Sequence, residues 1–524
     1  MTRSTEALRA AIRRRLAAFA ERRVVRRLWD GDPTVWTDDP HTPELADRLG
    51  WLTVGPLMAG QAQSIQQFGE EVRAGYDRVV LLGMGGSSLA PEVLWRVFGR
   101  RTGFPVFQML DSTHPHAVRA VADGGDLERT LFIVASKSGT TVETASFFEY
   151  FWALTGGDGR RFVAITDPGT VLERIGRERG FRRVFLSLPD IGGRYSALSP
   201  FGLVPAALMG IDVAGLLERA ETMAAKCGAD VAEADNPGCS LGVLMAEAAL
   251  AGRDKLSFVL SPRVATFGLW AEQLIAESTG KAGKGILPVV SEPAAARPRY
   301  CDDRIFVGLS VEGDRFEALD DRLHAAEAAG HPCGKLTLAD PYDLGAEFFR
   351  WEFATAVAGA VLRINPFDQP NVAESKENTK RVLAEAGRVP PPSEPRRSRV
   401  VSFLDGVKNG DYVCVQAFMP PSDETDAKLA DLCAALRDRV DAVVTMGYGP
   451  RYLHSTGQLH KGGPTTGHFM QIVAPVTRDE TIPGAGYSFG QLLMAQAQGD
   501  QEALTARGRP VVRVADPAEL LEVM

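Results

Sequence analysis

Cysteine is scarce in this chain. Six occur in 524 residues, at positions 227, 239, 301, 333, 414 and 433. No two form a CxxC pair, which argues against a zinc framework or a dithiol redox motif. Their scatter fits a reducing, cytoplasmic setting. Positive charge is not in excess either: 58 Lys and Arg stand against 66 Asp and Glu, a formal net charge of −8. A dedicated nucleic-acid binder is usually basic, so that class is disfavoured, although a local basic pocket for a small anion is not. Long apolar runs are missing. The longest, "FATAVAGAVL" at 353–362, is too short to span a bilayer. The N-terminus, "MTRSTEALRAAIRRRLAAFAERRVVRRLW", lacks the apolar core of a signal peptide. It reads as an amphipathic helix with an Arg-rich face that Glu6 and Glu21 interrupt, and so as a solvated helix packed on the body rather than a membrane helix. No GxxxxGK[ST] is present, which disfavours a P-loop NTPase. "HPH" at 114–116 has no acidic set nearby and reads as a loop, so no metal site is expected.

What is present is ordinary for a globular protein, 45% hydrophobic and 24% charged, in a chain long enough for two to four domains. From about residue 70, short apolar runs alternate with helical patterns. "DRVVLLGMGG", "FPVFQMLD", "TLFIVAS", "RFVAITD" and "RRVFLSLP" read as buried strands, then "KLSFVLSP", "GILPVV", "RIFVGLSV" and "GKLTLAD". Continuous apolar strands separated by helices imply parallel sheets covered on both faces. "GRVPPPSEPRRSR" (387–399) reads as a linker. Beyond it "YVCVQAFMP", "DAVVTMGYG", "GHFMQIVAP" and "GRPVVRVAD" suggest a smaller α/β tail. The expected organisation is an N-terminal helical segment over 1–70, two α/β domains over 71–224 and 225–390, and a C-terminal α/β tail over 400–524.

In open parallel sheets, ligands bind at the carboxyl ends of strands, where helix N-termini offer free N–H groups to anions. Two loops fit that design. "GMGGSS" (83–88) and "SKSGTT" (136–141) each follow a strand and open a helix. Glycine lets a backbone approach closely, Ser and Thr donate hydrogen bonds, and Lys137 adds charge. Ordinary helix capping explains either loop alone; two on neighbouring strands favour an anion cradle. "GMGGSS" is also an imperfect GxGxxG, and Asp111 ends the next strand, which keeps a dinucleotide-dependent dehydrogenase open as the second reading. Arg194, on a Gly-flanked turn in "IGGRYSALSP", suits a phosphate or an oxyanion. In "EQLIAESTGKAGKG", Gln273, Glu277 and Lys281 stand four apart on one expected helical face. Glu277 is a candidate general base, and a plain ion pair with Lys281 is the alternative. In "NPFDQPNVAESKENTK", Gln369 and Lys376 lie two helical turns apart on one face if the helix runs through.

In their order these segments resemble the phosphoglucose (glucose-6-phosphate) isomerase family. "GMGGSSLAP" is similar to the family's GIGGSxLGP, "SKSGTTVET" to SKTFTTxET, "QLIAESTGK" to a segment often containing ESNGK, and "NPFDQPNVAESK" to FDQxGVExGK, over roughly residues 75–380. The tail looks most like the isomerase half of bacterial transaldolase–isomerase fusions. The resemblance implies two doubly wound sugar-isomerase (SIS) type domains and an aldose–ketose isomerase for a phosphorylated hexose. No cofactor, metal, nucleic acid or membrane is implied, and a homodimer is. It carries over roles residue by residue. Gly86, Ser87, Ser136, Ser138 and Thr141 hold the phosphate, and Lys137 adds charge near the sugar. Glu277 moves a proton between C2 and C1. Arg194 and the Gly193 backbone stabilise the enediolate, Gln273 and Gln369 orient the sugar, and Lys376 assists ring opening. The family's catalytic His, in a GTxxQH-type loop between the Glu and Lys helices, has no counterpart there; only His324 and His331 fall in that interval. "YLHSTGQLHKGG" in the tail offers His460 as the expected replacement, with His454 behind it. Isomerisation of another sugar phosphate is the alternative activity. A binding regulator is disfavoured by the intact Glu277, Arg194 and Lys376 set.

Overall fold

The computed structural model describes residues 3–292, 300–314, 316–384 and 397–521; the side chains at 3, 4, 373, 375, 376 and 397 lie outside that description. Most of the expected linker is therefore outside it as well. All thirteen strands expected from the sequence form, in three parallel sheets. The first has β1 (Arg78–Gly83), β2 (Val106–Leu110), β3 (Thr130–Ala135), β4 (Phe162–Thr166) and β5 (Arg183–Leu186) in the order β2-β1-β3-β4-β5. The second has β6 (Lys255–Leu260), β7 (Leu287–Val289), β8 (Arg304–Val311) and β9 (Cys333–Leu338) in the order β7-β6-β8-β9. The third has β10 (Tyr412–Phe418), β11 (Val443–Tyr448), β12 (Gly467–Val473) and β13 (Val511–Val514) in the order β11-β10-β12-β13. In each sheet the chain leaves the first strand to one side and returns on the other, which opens a crevice at the carboxyl ends of those two neighbours.

The strands β1, β3, β4, β8, β10 and β12 are buried along their whole length, on both faces. Along β1, Val79 and Leu81 enter one core while Val80 and Leu82 enter another, as the two-residue period of a strand requires. The first of these cores is shared between sheets. It joins β1 and β3 to β6 and β8 through helices Val54–Gly75, Pro200–Leu208, Val213–Lys226 and Leu344–Leu362.

Both ends of the chain pack into the body of the molecule. The first 70 residues, expected as an N-terminal helical segment, include Leu45 and Trp51, both at 0% exposure in the shared core, and the helix Val54–Gly75 runs past position 70. The C-terminal tail shares a core with the first sheet. Phe489 is fully buried there and stacks on Phe147 at 5.8 Å, a burial that contributes about 2 kcal/mol. Among the described residues no helix is long and apolar enough to cross a membrane.

Candidate active site

The cradle begins where β1 and β3 lie side by side, with Gly83 paired to Ala135. After β1 the chain makes a tight turn over Gly85–Ser87 and enters the helix Leu89–Phe98; Ser88 Oγ donates to the Gly85 carbonyl at 3.1 Å. Gly86 presses on the next element. A Cβ there would lie 2.0 Å from the Gly193 carbonyl oxygen, so no side chain fits while the two loops touch. After β3 the "SKSGTT" loop turns through Gly139 at φ 68°, a left-handed conformation that favours glycine. Thr141 then caps the helix Val142–Leu154 without a side-chain hydrogen bond to it. The first N–H groups of that helix have no intrahelical partners and carry the positive end of its dipole.

These elements enclose a cavity of about 330 Å³, within the range of small-ligand sites. Gly86, Ser87, Lys137, Ser138, Thr141, Gly193, Arg194, Gln273, Glu277 and Gln369 all line it. Ser136 does not. It stands behind the loop, with Oγ 2.9 Å from Thr141 Oγ1, and holds Thr141 in place. Lys137 is engaged by Asp167 and donates to the Pro189 carbonyl, so part of its charge is already neutralised.

Arg194 sits on the turn Gly193–Tyr195 with its side chain 1% exposed. Its Nε donates to Ser278 Oγ at 2.8 Å, Nη1 to Gln369 Oε1 at 2.5 Å, and Nη2 to the carbonyls of Pro366 and Asp368 at 2.8 and 2.9 Å. The guanidinium is thereby fixed in orientation, with Nη1 3.4 Å from Glu277 Oε1. Glu277 is buried one turn beyond Gln273 on the helix Phe267–Thr279, and accepts 2.9 Å from Gln273 Nε2. Gln273 Oε1 is buried with no hydrogen bond among the described residues. A carboxylate with a fixed cation on one side and an amide on the other is suited to moving a proton across a small carbon framework.

Lys281 departs from its expected face. The helix ends at Thr279, and Lys281 Nζ turns to the Asp368 carboxylate at 2.6 Å and to the carbonyls of Asn365 and Asp368. Burial, reinforced by nearby Arg194, brings its pKa down to about 7. Lys281 and Arg194 thus grip the same 365–369 segment, and Gln369 leads into the helix Pro370–Ala384. Lys376 belongs to that helix, but its side chain lies outside the described residues.

His460 is not at the cavity. It is 1% exposed inside the tail, with Nδ1 2.9 Å from the Tyr412 hydroxyl, Nε2 3.5 Å from Cys414 Sγ, and its ring against Phe469 at 4.9 Å. Burial holds its pKa well below the usual imidazole value. The histidine that lines the cavity is His454. Its Nε2 is 2.8 Å from Glu143 Oε1, and that oxygen also accepts 2.7 Å from Gln496 Nε2. Gln496 in turn accepts from the Thr113 hydroxyl at 2.8 Å. Sequence reasoning missed Glu143, although it is the Glu of "SKSGTTVET". Asp111, the acid a dinucleotide site would need, lies 3.1 Å from Arg451 Nε and is committed to that cation.

The phosphoglucose isomerase family model matches residues 53–286. A glucose-6-phosphate isomerase of Rubrobacter xylanophilus is 30% identical over 392 residues, 64% of this chain and 89% of that protein. The chain belongs to the phosphoglucose isomerase family. A glucose-6-phosphate isomerase of Carboxydothermus hydrogenoformans is 28% identical over 403 residues, 65% of this chain and 86% of that one. Among solved structures, a hypothetical protein of Thermus thermophilus superimposes with a TM-score of 0.62 at 25% identity, over 73% of this chain and 99% of the other. The His454 imidazole at the cavity thus comes from the C-terminal α/β unit, after the helix Pro370–Ala384, and its carboxylate partner Glu143 from the first turn of the helix Val142–Leu154.

Proposed function

We propose that the cavity interconverts glucose 6-phosphate and fructose 6-phosphate through a cis-enediol(ate). The observation that carries this reading is the buried Glu277 carboxylate, aligned between Gln273 and the immobilised Arg194, in the same cavity as two glycine- and hydroxyl-rich loops at the ends of β1 and β3.

The phosphate is received by the Ser87, Ser138 and Thr141 hydroxyls and the free N–H groups opening the helix Val142–Leu154, with Lys137 at its edge. This remote anchoring positions the reacting carbons. His454, oriented by Glu143, exchanges the proton of the ring oxygen or the hydroxyl during ring opening, with Lys376 assisting as the resemblance implies. Glu277 then removes the C2 proton of the aldose. Electrons shift toward the former carbonyl oxygen, whose negative charge Arg194 meets without surrendering a proton. A proton passes from the O2 hydroxyl to O1, the carboxylic acid formed on Glu277 returns its proton to C1 on the same face, and the ketose results. The reverse direction uses the same groups. The homodimer and the cytoplasmic setting belong to the same proposal.

The test is exchange of the aldose C2 proton or the ketose C1 proton in deuterated water, with fructose 6-phosphate, mannose 6-phosphate and an amino-sugar phosphate compared side by side. Fructose 6-phosphate should show solvent exchange and yield glucose 6-phosphate without added metal or nucleotide. Glu277→Gln should lower kcat by about 10²–10⁴-fold; near-normal turnover in that variant means Glu277 is not the base.

A further inference from the structure

The cavity has a wall that none of the five sequence motifs contributes. Glu44 and Arg48 line it beside Lys137 and Asp167, and both precede the stretch matched by the family model, which starts at residue 53. Their segment is anchored on both sides. Leu45 and Trp51 are fully buried, and Gly50 N–H donates to the Asp190 carbonyl at 3.1 Å. A Cβ at Gly50 would lie 2.4 Å from the Asp190 carboxylate, so the two segments approach closely there. Arg48 is therefore delivered to the cavity wall by a docked segment.

Its present bonds are few and long. Arg48 Nη1 donates to the Asp47 and Pro189 carbonyls at 3.3 and 3.2 Å, and Nε is 3.4 Å from Glu44 Oε2. Lys137 donates to the same Pro189 carbonyl, so the two cations are neighbours at the phosphate end. The other cations there are committed: Lys137 to Asp167, and Arg194 to four hydrogen bonds at the opposite wall. A phosphate monoester dianion arriving at Ser87, Ser138 and Thr141 meets hydroxyls, helix N–H groups and one half-neutralised lysine. Arg48, with its side chain 27% exposed and its donors held among the described residues by contacts of 3.2 Å or longer, those to the Glu44 and Asp47 carboxylates included, is the cation best able to turn toward it and bind two phosphate oxygens at once.

We propose that Arg48 is a further substrate-binding residue, a guanidinium that closes on the phosphate of the hexose phosphate from the N-terminal segment. The inference rests on the isomerase reading for the identity of the ligand, but the chemistry it requires is that of any phosphate monoester.

Two measurements on the full chain test it. In steady-state kinetics with fructose 6-phosphate, Arg48→Met should raise KM by about tenfold or more and change kcat less than about threefold, with Arg48→Lys between the variant and the parent. In calorimetric titration with inorganic phosphate as the probe, the parent should bind and Arg48→Met should bind at least about tenfold more weakly, while thermal melts show the fold unchanged. An Arg48→Met protein with parental KM and parental phosphate affinity overturns the proposal. A loss confined to kcat overturns it too, because that is the mark of a displaced catalytic group. If the parent isomerises no sugar phosphate, the isomerase reading falls, and the phosphate titration alone still decides the role of Arg48.

Discussion

Replacing Gly86 with Ala isolates what the contact between two loops does for catalysis. The added methyl carbon would sit 2.0 Å from the Gly193 carbonyl oxygen, 2.3 Å from its carbon and 3.0 Å from the Arg194 nitrogen. All three atoms are backbone, so no side chain can rotate away. A tolerable carbon–oxygen contact is about 3.2 Å or more, so the turn Gly85–Ser87 and the turn Gly193–Tyr195 must part by roughly 1 Å. Arg194 cannot follow freely, because its guanidinium is tied to Ser278, Gln369, Pro366 and Asp368; its geometry toward Glu277 and the substrate must distort instead. Overpacking of this kind costs about 1–3 kcal/mol of stability, which a protein with two large shared cores survives. A misplacement of about 1 Å costs on the order of 10²-fold in rate. The expected result is a folded Gly86→Ala enzyme, melting a few degrees lower, with kcat down about 30- to 300-fold and substrate still bound. Coupled conversion of fructose 6-phosphate to glucose 6-phosphate, alongside thermal melts, measures both quantities. Parental kcat in a folded Gly86→Ala protein would refute the idea that backbone contact between these loops sets the position of Arg194.

The two tail histidines should separate cleanly. His454→Ala should lower kcat about 10²-fold or more on cyclic substrate with little change in melting temperature. His460→Phe should lower the melting temperature and leave kcat within about threefold, since the His460 ring meets Tyr412, Cys414 and neighbouring rings inside the tail; the opposite pattern would return the role to His460. A pH effect on stability is expected from Glu272, whose carboxyl burial raises from 4.5 to about 8. The folded state binds that proton more tightly than the unfolded one, so the stability it contributes is present below about pH 4.5 and is lost as pH rises through about 8. Glu272→Gln keeps the uncharged shape, so its melting temperature should match the parent near pH 5 and exceed it by at least about 3 °C near pH 8.5; a difference that does not vary with pH counts against a protonated Glu272.

What the sequence disclosed, and what it withheld, follows from how far apart the determinants lie. The central strands were readable because they are buried on both faces and so are apolar throughout, as in β1. The Glu277 and Arg194 sites were readable because each sits in a short, ordered segment. Lys281 was misplaced for a local reason with a distant cause. The helix carrying Glu277 stops at Thr279, where a Cβ on Gly280 would lie 2.3 Å from Leu459 Cα. The tail's helix Gly457–Gly462 occupies that space and receives the Gly283 N–H on the Gly462 carbonyl, so four-residue spacing could not continue to Lys281. The same docking decides between the histidines. Six positions separate His454 from His460, and nothing in "HSTGQLH" says which turns inward. Tyr412 and Phe469, on β10 and β12, claim His460 for the tail's interior. Glu143, 311 residues away in sequence, receives His454 at the cavity. Arg48 has no motif at all; it reaches the cavity because Leu45 and Trp51 bury on either side of it. Residues placed by their own segment were legible, and residues placed by the docking of one α/β unit on another were not. The tail is for that reason a part of the cavity wall, since removing it would take away both His454, which lines the cavity, and the Gln496 that holds Glu143.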